Sequence, residues 1–494
     1  MGSSVHRTSS RRWLANLVGA SAFFFAILQA GAVIDATLQM QLGNPTGATA
    51  APTNHLHYLI QHPQYALDYS DTNRQPNWVS WDLTSSDVGS SGRTDAWAVE
   101  TNVPPDFHPV PTSTFGSVDG QSYDRGHMCP SADRTDAVTN NEMTFVMSNI
   151  IPQASQNNQG LWATFENYSR TLLSTQELLI ISGPSNFGTN RIASGGHGAI
   201  ASNVWKIVVC VPLGAGTALS RITNADPASI RVIAMNTPNN SSVSGHSWTE
   251  YRTSVKQLQQ VTGFSFFTAL PSNLAWVLRS KVDGQTPAAP GFISFSPFSG
   301  AVNSTVTITG PNLDSTTNVT FNGIGASYTI TATNQITAIA PAGAASGLIG
   351  VKTLGGTATS SSSFTVVPLT PIESWRLQWF GTTANSGAAA DAAITTSDGM
   401  PNLLKYAFGL NPLVPVVNPA VGDISTGYLR LTLPKNPEAT DVTFFVEVAG
   451  DVTGPWTTNG TAIDQNTPGL LQVHDNTPIS SVARDFIRLR VSRP

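Results

Sequence analysis

The residues of this chain best suited to chemistry are Tyr123-Asp124-Arg125-Gly126-His127-Met128 and, further along, Asn158, Glu166 and Arg170. Histidine is the side chain that most readily takes a proton near neutral pH. Asparagine offers a neutral oxygen to a hard cation, and arginines answer the charge that develops on phosphoryl oxygens. Such a set suits hydrolysis of a phosphodiester, which needs a base to activate water, a cation on the leaving oxygen and positive charge on the non-bridging oxygens. An asparagine oxygen with water completing the shell suits Mg²⁺, with Mn²⁺ as a substitute. A zinc site would use more His or Cys than occur here.

Asn158, Trp162, Glu166 and Arg170 recur every four residues. On an α-helix that spacing draws one slanting stripe about 18 Å long, so the pattern predicts a single helix presenting all four side chains toward one side. Trp162 reads as core packing beside that stripe, because a helical indole more often packs than reacts. The His127 imidazole is expected to accept a proton from water and to pack no core.

These motifs resemble the DNA/RNA non-specific endonuclease family, the ββα-metal (His-Me finger) enzymes that include Serratia nuclease and endonuclease G. Asp124-Arg125-Gly126-His127 matches the family's D-R-G-H, Ser148 to Gln153 its S-N-x-x-P-Q, and Asn157 to Glu166 its N-x-G-x-W-x-x-x-E helix. The resemblance spans roughly residues 50 to 284. It implies that His127 is the general base, Asn158 the single direct protein ligand of Mg²⁺, and Glu166 the holder of a metal-bound water. Arg125 and Arg170 would stand near the phosphate, with Arg93 in Gly92-Arg93-Thr94-Asp95 as the upstream arginine, and Asn149 would orient the His127 region.

Around these residues the apolar, β-branched runs Trp78–Leu83, Thr144–Met147, Leu178–Ile181, Val204–Val211 and Ile230–Ala234 predict a sheet. Ser247-Trp248-Thr249-Glu250 predicts a capping box opening one helix with Tyr251, Val255, Leu258 and Val261 on its apolar face, stopped by Gly263. The first domain is therefore expected to be an α+β ββα-metal nuclease over 37–284. A linker follows at 285–289, where Gly, Pro and Ala cluster.

Beyond it, short alternating runs such as Val306–Thr309, Val319–Phe321 and Phe364–Val366 predict an all-β sandwich. Residues 290–368 resemble the IPT/TIG immunoglobulin-like domain. The last region, 369–494, is expected to form a small β-rich domain from Tyr428–Leu433, Thr443–Val448 and Phe486–Val491. It contains a degenerate calcium-loop-like stretch in which Asp391, Asp398 and Asn402 leave too few carboxylates for a strong Ca²⁺ site.

At 494 residues the chain is too long for a single core. Its net charge of −5 gives no global attraction to nucleic acid, so steering would fall to the local arginines. Arg7, Arg11 and Arg12 precede an uncharged apolar run from Trp13 to Val33, with a small-x-small site at Ala30-Gly31-Ala32. Residues 1–36 therefore read as a bacterial signal peptide for export to the periplasm, cell surface or medium, with a retained anchor as the alternative. Cys129 and Cys210 are the only cysteines. An exported chain permits one bridge between them, although Cys210 sits in an apolar run where a free thiol is ordinary.

Two function classes follow. One is an exported Mg²⁺-dependent endonuclease acting on DNA and RNA, with its C-terminal modules contacting a cell surface or matrix. The other is a surface-binding or adhesive protein carrying an inactive nuclease fold. Intact His127, Asn158 and Glu166 favour the first.

Overall fold

The computed structural model describes residues 37–113, 115–192 and 197–493, and the expected export segment 1–36 lies outside them. Two compact units divide between Gln285 and Thr286. Among the described residues no helix is long and apolar enough to cross a membrane.

The first unit holds strands β1 (Tyr58–Gln61), β2 (Ala66–Ser70), β3 (Gln75–Leu83), β4 (Gly116–Val118), β5 (Gln121–His127), β6 (Ile150–Ala154), β7 (Gln176–Ile192), β8 (His197–Pro212), β9 (Arg231–Pro238) and β10 (Arg252–Thr253). Seven of them form one sheet in the order β1-β2-β3-β7-β8-β9-β10, and β4-β5-β6 form a smaller one. Helices α1 (Val138–Met143), α2 (Ala163–Thr171), α3 (Ala218–Asn224), α4 (Val255–Thr262) and α5 (Ser272–Ser280) complete the unit.

The large sheet is buried on both faces, and side-chain alternation along each strand divides its apolar residues between two cores. In β8, Val204, Val208 and Cys210 enter the core shared with Trp81, Trp162 and Phe165. Trp205, Ile207, Val209 and Val211 enter the core shared with α3, α4 and α5. Each fully buried Val, Leu or Ile of such a strand contributes about 1.5–3 kcal/mol. Lys206 falls in the same row as Val204 and Val208, and its side chain is nonetheless buried.

Two local expectations are corrected. Thr144–Met147 is a turn, because Thr144 and Phe145 donate their backbone N–H groups to the Asn141 and Glu142 carbonyls. Only an isolated bridge between Ala98 and Val146 remains of the strand. The Ser247 capping box forms, but it opens a short 3₁₀ turn over Trp248–Tyr251. Arg252 and Thr253 then pair with β9, so a second start is needed, supplied by Ser254, whose side chain caps α4 before Gly263 closes it in the left-handed region. Val255 and Leu258 are buried, whereas Val261 is exposed. Cys129 and Cys210 are both free and buried, the ordinary state expected of Cys210 in its apolar run.

The second unit begins with a sandwich. Strands β11 (Ser294–Ser296), β12 (Ser299–Gly300), β13 (Thr305–Thr309), β14 (Thr316–Phe321), β15 (Ile324–Gly325), β16 (Tyr328–Ala332), β17 (Gln335–Ile339), β18 (Gly347–Thr353) and β19 (Gly356–Val366) form two sheets, β11-β13-β17-β16 and β12-β19-β18-β14-β15. Val306, Ile308 and Ile336 from the first meet Val319, Phe321, Val351 and Phe364 from the second in one core.

The C-terminal part carries α6 (Pro371–Phe380) and α7 (Asn402–Phe408), then β20 (Val421–Asp423), β21 (Tyr428–Pro434), β22 (Thr443–Ala449), β23 (Thr461–Asn466), β24 (Leu470–Pro478) and β25 (Phe486–Ser492). These strands pair as β20-β21-β24-β23 and β22-β25. Thr370 and Glu373 form a capping box on α6, with Pro371 at its first turn and Gly381 closing its end.

The carboxylates of the calcium-loop-like stretch are already engaged by cations of the chain. Asp391 is paired with Arg376 and, at 2.6 Å, with Arg493. Asp398 accepts from the fully buried Lys405 ammonium at 2.8 Å. Lys405 Nζ also reaches the Thr396 hydroxyl and the Val414 carbonyl, the latter at 3.3 Å. Backbone N–H groups of Met400 and Val416 complete the shell of Asp398, whose carboxyl is held well below the usual range first by Lys405 and then by those amides.

Candidate active site

Strand β5 delivers Asp124, Arg125 and His127, and pairs with β6 so that His127 lies opposite Ile150. Gly126 is required here by close approach: a Cβ at this position would stand 2.4 Å from the Gln153 Cβ. Gln153 in turn donates to Asn157 Oδ1 at 2.8 Å, and Asn157 donates to Thr237 and Pro238 on β9. The P-Q segment thus ties the strand bearing His127 to the start of the helix bearing Asn158.

That helix is not a continuous α-helix. Asn157–Trp162 forms a π-helical turn in which Gly160 leaves helical geometry at φ −96°, ψ −110°, and regular α-helix resumes as α2. The four-residue stripe expected from the sequence is therefore interrupted between Asn158 and Trp162. Single π turns recur at functional positions because they rotate the residues before them relative to those after.

Asn158 donates its side-chain amide to Asp124 Oδ2 at 2.9 Å, and Gln159 donates to the same oxygen at 2.8 Å. The Asn158 carbonyl oxygen is thereby left for another partner. Arg93, Trp97, Asp124, Arg125 and Asn158 line one open cavity of about 460 Å³. The Arg125 guanidinium lies 3.6 Å from the Trp97 ring centroid, and Arg93 lies 4.7 Å from that of Phe145. Arg93 also donates to Asp95 at 2.9 Å.

His127 is buried, contrary to the expectation that it packs no core. Its ring meets Phe145 edge-on at 4.8 Å and Trp97 at 5.4 Å. Burial, and then the charges of Arg93 and Arg125, push its pKa down to about 3, so the imidazole is neutral at physiological pH. Its Nε2 is buried without a hydrogen-bond partner. Asn149 does not bond the ring. Its side chain accepts from the Cys129 backbone N–H and donates to the Cys129 and Thr144 carbonyls, which fixes the chain just after His127.

Glu166 and Arg170 are held from the protein side. Glu166 accepts from Lys206 Nζ at 2.8 Å, and Arg170 donates to Asp133 at 2.6 Å. Burial raises the Glu166 pKa while Lys206 opposes the rise. Trp162 is in the core, as expected, with its ring 4.5 Å from the Lys206 ammonium.

Among the described residues no group of three or more His, Cys, Asp or Glu side chains could cage a metal ion. A hard cation at Asn158 would have few protein ligands and much water, which is the coordination Mg²⁺ favours. The carbonyl oxygen of Asn158 is the donor that fits such an ion, since both Asp124 oxygens already accept hydrogen bonds, from Ser155 and from Asn158 and Gln159.

Residues 42–273 match the family model described as DNA/RNA non-specific endonuclease, and residues 290–367 match the IPT/TIG domain. A nuclease of Nostoc sp. is 37% identical over 248 residues, covering 50% of this chain and 86% of that protein. The chain belongs to the DNA/RNA non-specific endonuclease family. A nuclease of Serratia marcescens is 26% identical over 275 residues, 54% of this chain and 93% of that protein. The human mitochondrial nuclease EXOG is 26% identical over 245 residues, 47% of this chain and 60% of that protein.

The nuclease unit contains site neighbours to which the sequence motifs assigned no part. Asp124 stands inside the D-R-G-H motif, yet only the fold shows it holding Asn158. Lys206 lies within the apolar run Val204–Val211, where a lone charge is itself a signal, since unpaired charges are rarely buried. Trp97 and Asp133 carried no usable pattern.

Proposed function

We propose that the nuclease unit hydrolyses phosphodiester bonds in DNA and RNA, with His127 as general base. The observation that carries this reading is the His127 ring: neutral, with its Nε2 atom buried and without an internal partner, beside two arginines. A neutral ring with an open lone pair can take the proton of an attacking water once bound phosphate offsets Arg93 and Arg125 and lifts its pKa back toward working pH. Arg93 and Arg125 flank it and neutralise charge gathering on the phosphate oxygens. Because Nε2 is closed off in this conformation, substrate must displace side chains packed on the ring, Trp97 or Phe145, to reach it.

Asn158 Oδ1 would hold Mg²⁺, and Glu166 would hold a water of that ion's hydration shell. When bound, the ion supplies Lewis-acid stabilisation of the leaving oxygen. Arg170, fixed by Asp133, adds positive charge beside Glu166. The same reading includes export through residues 1–36 and contact of the C-terminal modules with a surface or matrix.

A plasmid-nicking assay and an RNA-cleavage assay, each with Mg²⁺ and with EDTA, test it. Cleavage of both polymers that EDTA abolishes is expected. Folded protein that binds surfaces but cleaves neither polymer would favour the adhesive alternative.

A further inference from the structure

We propose that Lys206 is a positioning residue of the active site, fixing one carboxylate oxygen of Glu166 so that the other is presented to the hydrated cation. This rests on the role proposed above for Glu166. Lys206 projects from the middle of β8 into the row otherwise filled by Val204, Val208 and Cys210. Its side chain is 2% exposed and that of Glu166 is 14% exposed.

The ammonium is enclosed on two sides by indoles, with the Trp162 centroid at 4.5 Å and the Trp81 centroid at 5.3 Å. Two aromatic faces attract the cation and exclude water, leaving Glu166 Oε1, at 2.8 Å, as its one anionic hydrogen-bond partner among the described residues. Trp81 is itself anchored, donating through Nε1 to Asp133 Oδ2 at 3.0 Å, while Asp133 Oδ1 receives Arg170. A single buried network therefore fixes both Glu166 and Arg170 from the side away from solvent.

A purely structural fold would fill this position with an aliphatic side chain, as the neighbouring positions do. A buried charge is retained at a desolvation cost, and what it supplies here is a fixed carboxylate whose charged form it favours. Besides Lys206, the charged groups facing Glu166 are Asp133, from the turn Ser131–Asp133, and Arg170 on its own helix. Burial and Asp133 favour the protonated carboxyl, and Lys206 is the nearest group opposing them.

The test uses the full chain as native protein, Lys206→Met, Glu166→Gln and the double variant. Lys206→Met should lose roughly 10- to 100-fold in kcat, with little change in KM for DNA, and should bind Mn²⁺ more weakly by electron paramagnetic resonance. In the Glu166→Gln background the same substitution should change kcat less than about 3-fold, because Lys206 acts through Glu166. In the metal-free protein, infrared difference spectra should show the Glu166 carboxyl ionised at neutral pH in the native chain and protonated in Lys206→Met, with Glu166→Gln supplying the assignment. Should Lys206→Met not fold, Lys206→Gln, uncharged and polar, gives the same comparison. Equal losses in both backgrounds, or an ionised Glu166 in the uncharged variant, would overturn the inference. Native-like activity of Glu166→Gln would instead overturn the role proposed for Glu166.

Discussion

The Asn158 side-chain amide donates to Asp124 Oδ2 at 2.9 Å, and this bond decides which atom of Asn158 remains available. With its nitrogen held, the asparagine can offer only its oxygen, which is the atom a hard cation accepts. Asp124→Ala frees that amide to turn. The expected result is roughly a 10- to 100-fold weaker dependence on Mg²⁺ at retained fold, with a larger loss for Asn158→Ala. Cleavage rates measured across a Mg²⁺ titration decide it, and superimposable curves for native protein and both variants would remove Asn158 from the metal.

His127→Gln is expected to lose roughly 10²- to 10⁴-fold in rate or more. His127→Ala should lose as much and should also melt at a lower temperature, because the imidazole fills space against Phe145 and Trp97. Calorimetry alongside kinetics separates the two effects. A well-folded His127→Gln enzyme of native activity would contradict the assignment of the base.

The depressed His127 pKa also predicts how stability varies with acid. The folded ring titrates at about 3 and an unfolded histidine near about 6.5, so between those values the unfolded chain binds the extra proton. Stability from this group is full above pH of about 6.5 and declines as pH falls toward the folded value, with a slope of up to about 1.4 kcal/mol per pH unit. Urea unfolding at a series of pH values should show that slope reduced in His127→Gln. A slope identical to that of native protein would mean the ring is protonated in the folded state.

Residues 37–285, produced alone, should keep full activity on short DNA while losing any attachment to cells or matrix. Every side chain proposed for the chemistry lies in the first unit. The cut must keep Asp283, which accepts from Nε and Nη2 of Arg231, at 2.6 and 2.9 Å. Ending the chain at 282 should lower its melting temperature relative to ending at 285. A soluble, folded but inactive 37–285 fragment would show that later residues complete the site.

Calcium should leave the C-terminal part unchanged. Lys405 supplies the positive charge at Asp398, and Arg376 with Arg493 supplies it at Asp391. Hydrogen exchange of residues 391–416 in the full chain should be the same in Ca²⁺ and in EDTA, and faster in Lys405→Met. Protection that rises with Ca²⁺ would mean the ion displaces the ammonium.

Much of the nuclease unit was legible because its cues are local. The motif around His127 reads as a site, and β-branched runs such as Val204–Val211 mark strands that are buried on both faces. The π turn was not legible, since Asn158, Trp162, Glu166 and Arg170 fit an α-helical period and nothing in that spacing reports the departure at Gly160. Thr144–Met147 has strand-like composition, but the Asn149 amide and nearby turn bonds hold its backbone otherwise. Lys206 and Asp124 acquire meaning only through partners distant in sequence, Glu166 and Asn158. The burial of His127 depends likewise on Trp97 and Phe145, which no pattern linked to it.

Cys129 and Cys210 both lie in the core as free thiols, and the chain has no other cysteine. No disulfide therefore joins them, and burial pushes both thiols up in pKa and keeps the sulfurs protonated. A thiol reductant thus has no bond between these two residues to cleave, and the melting temperature is expected to be the same with and without it.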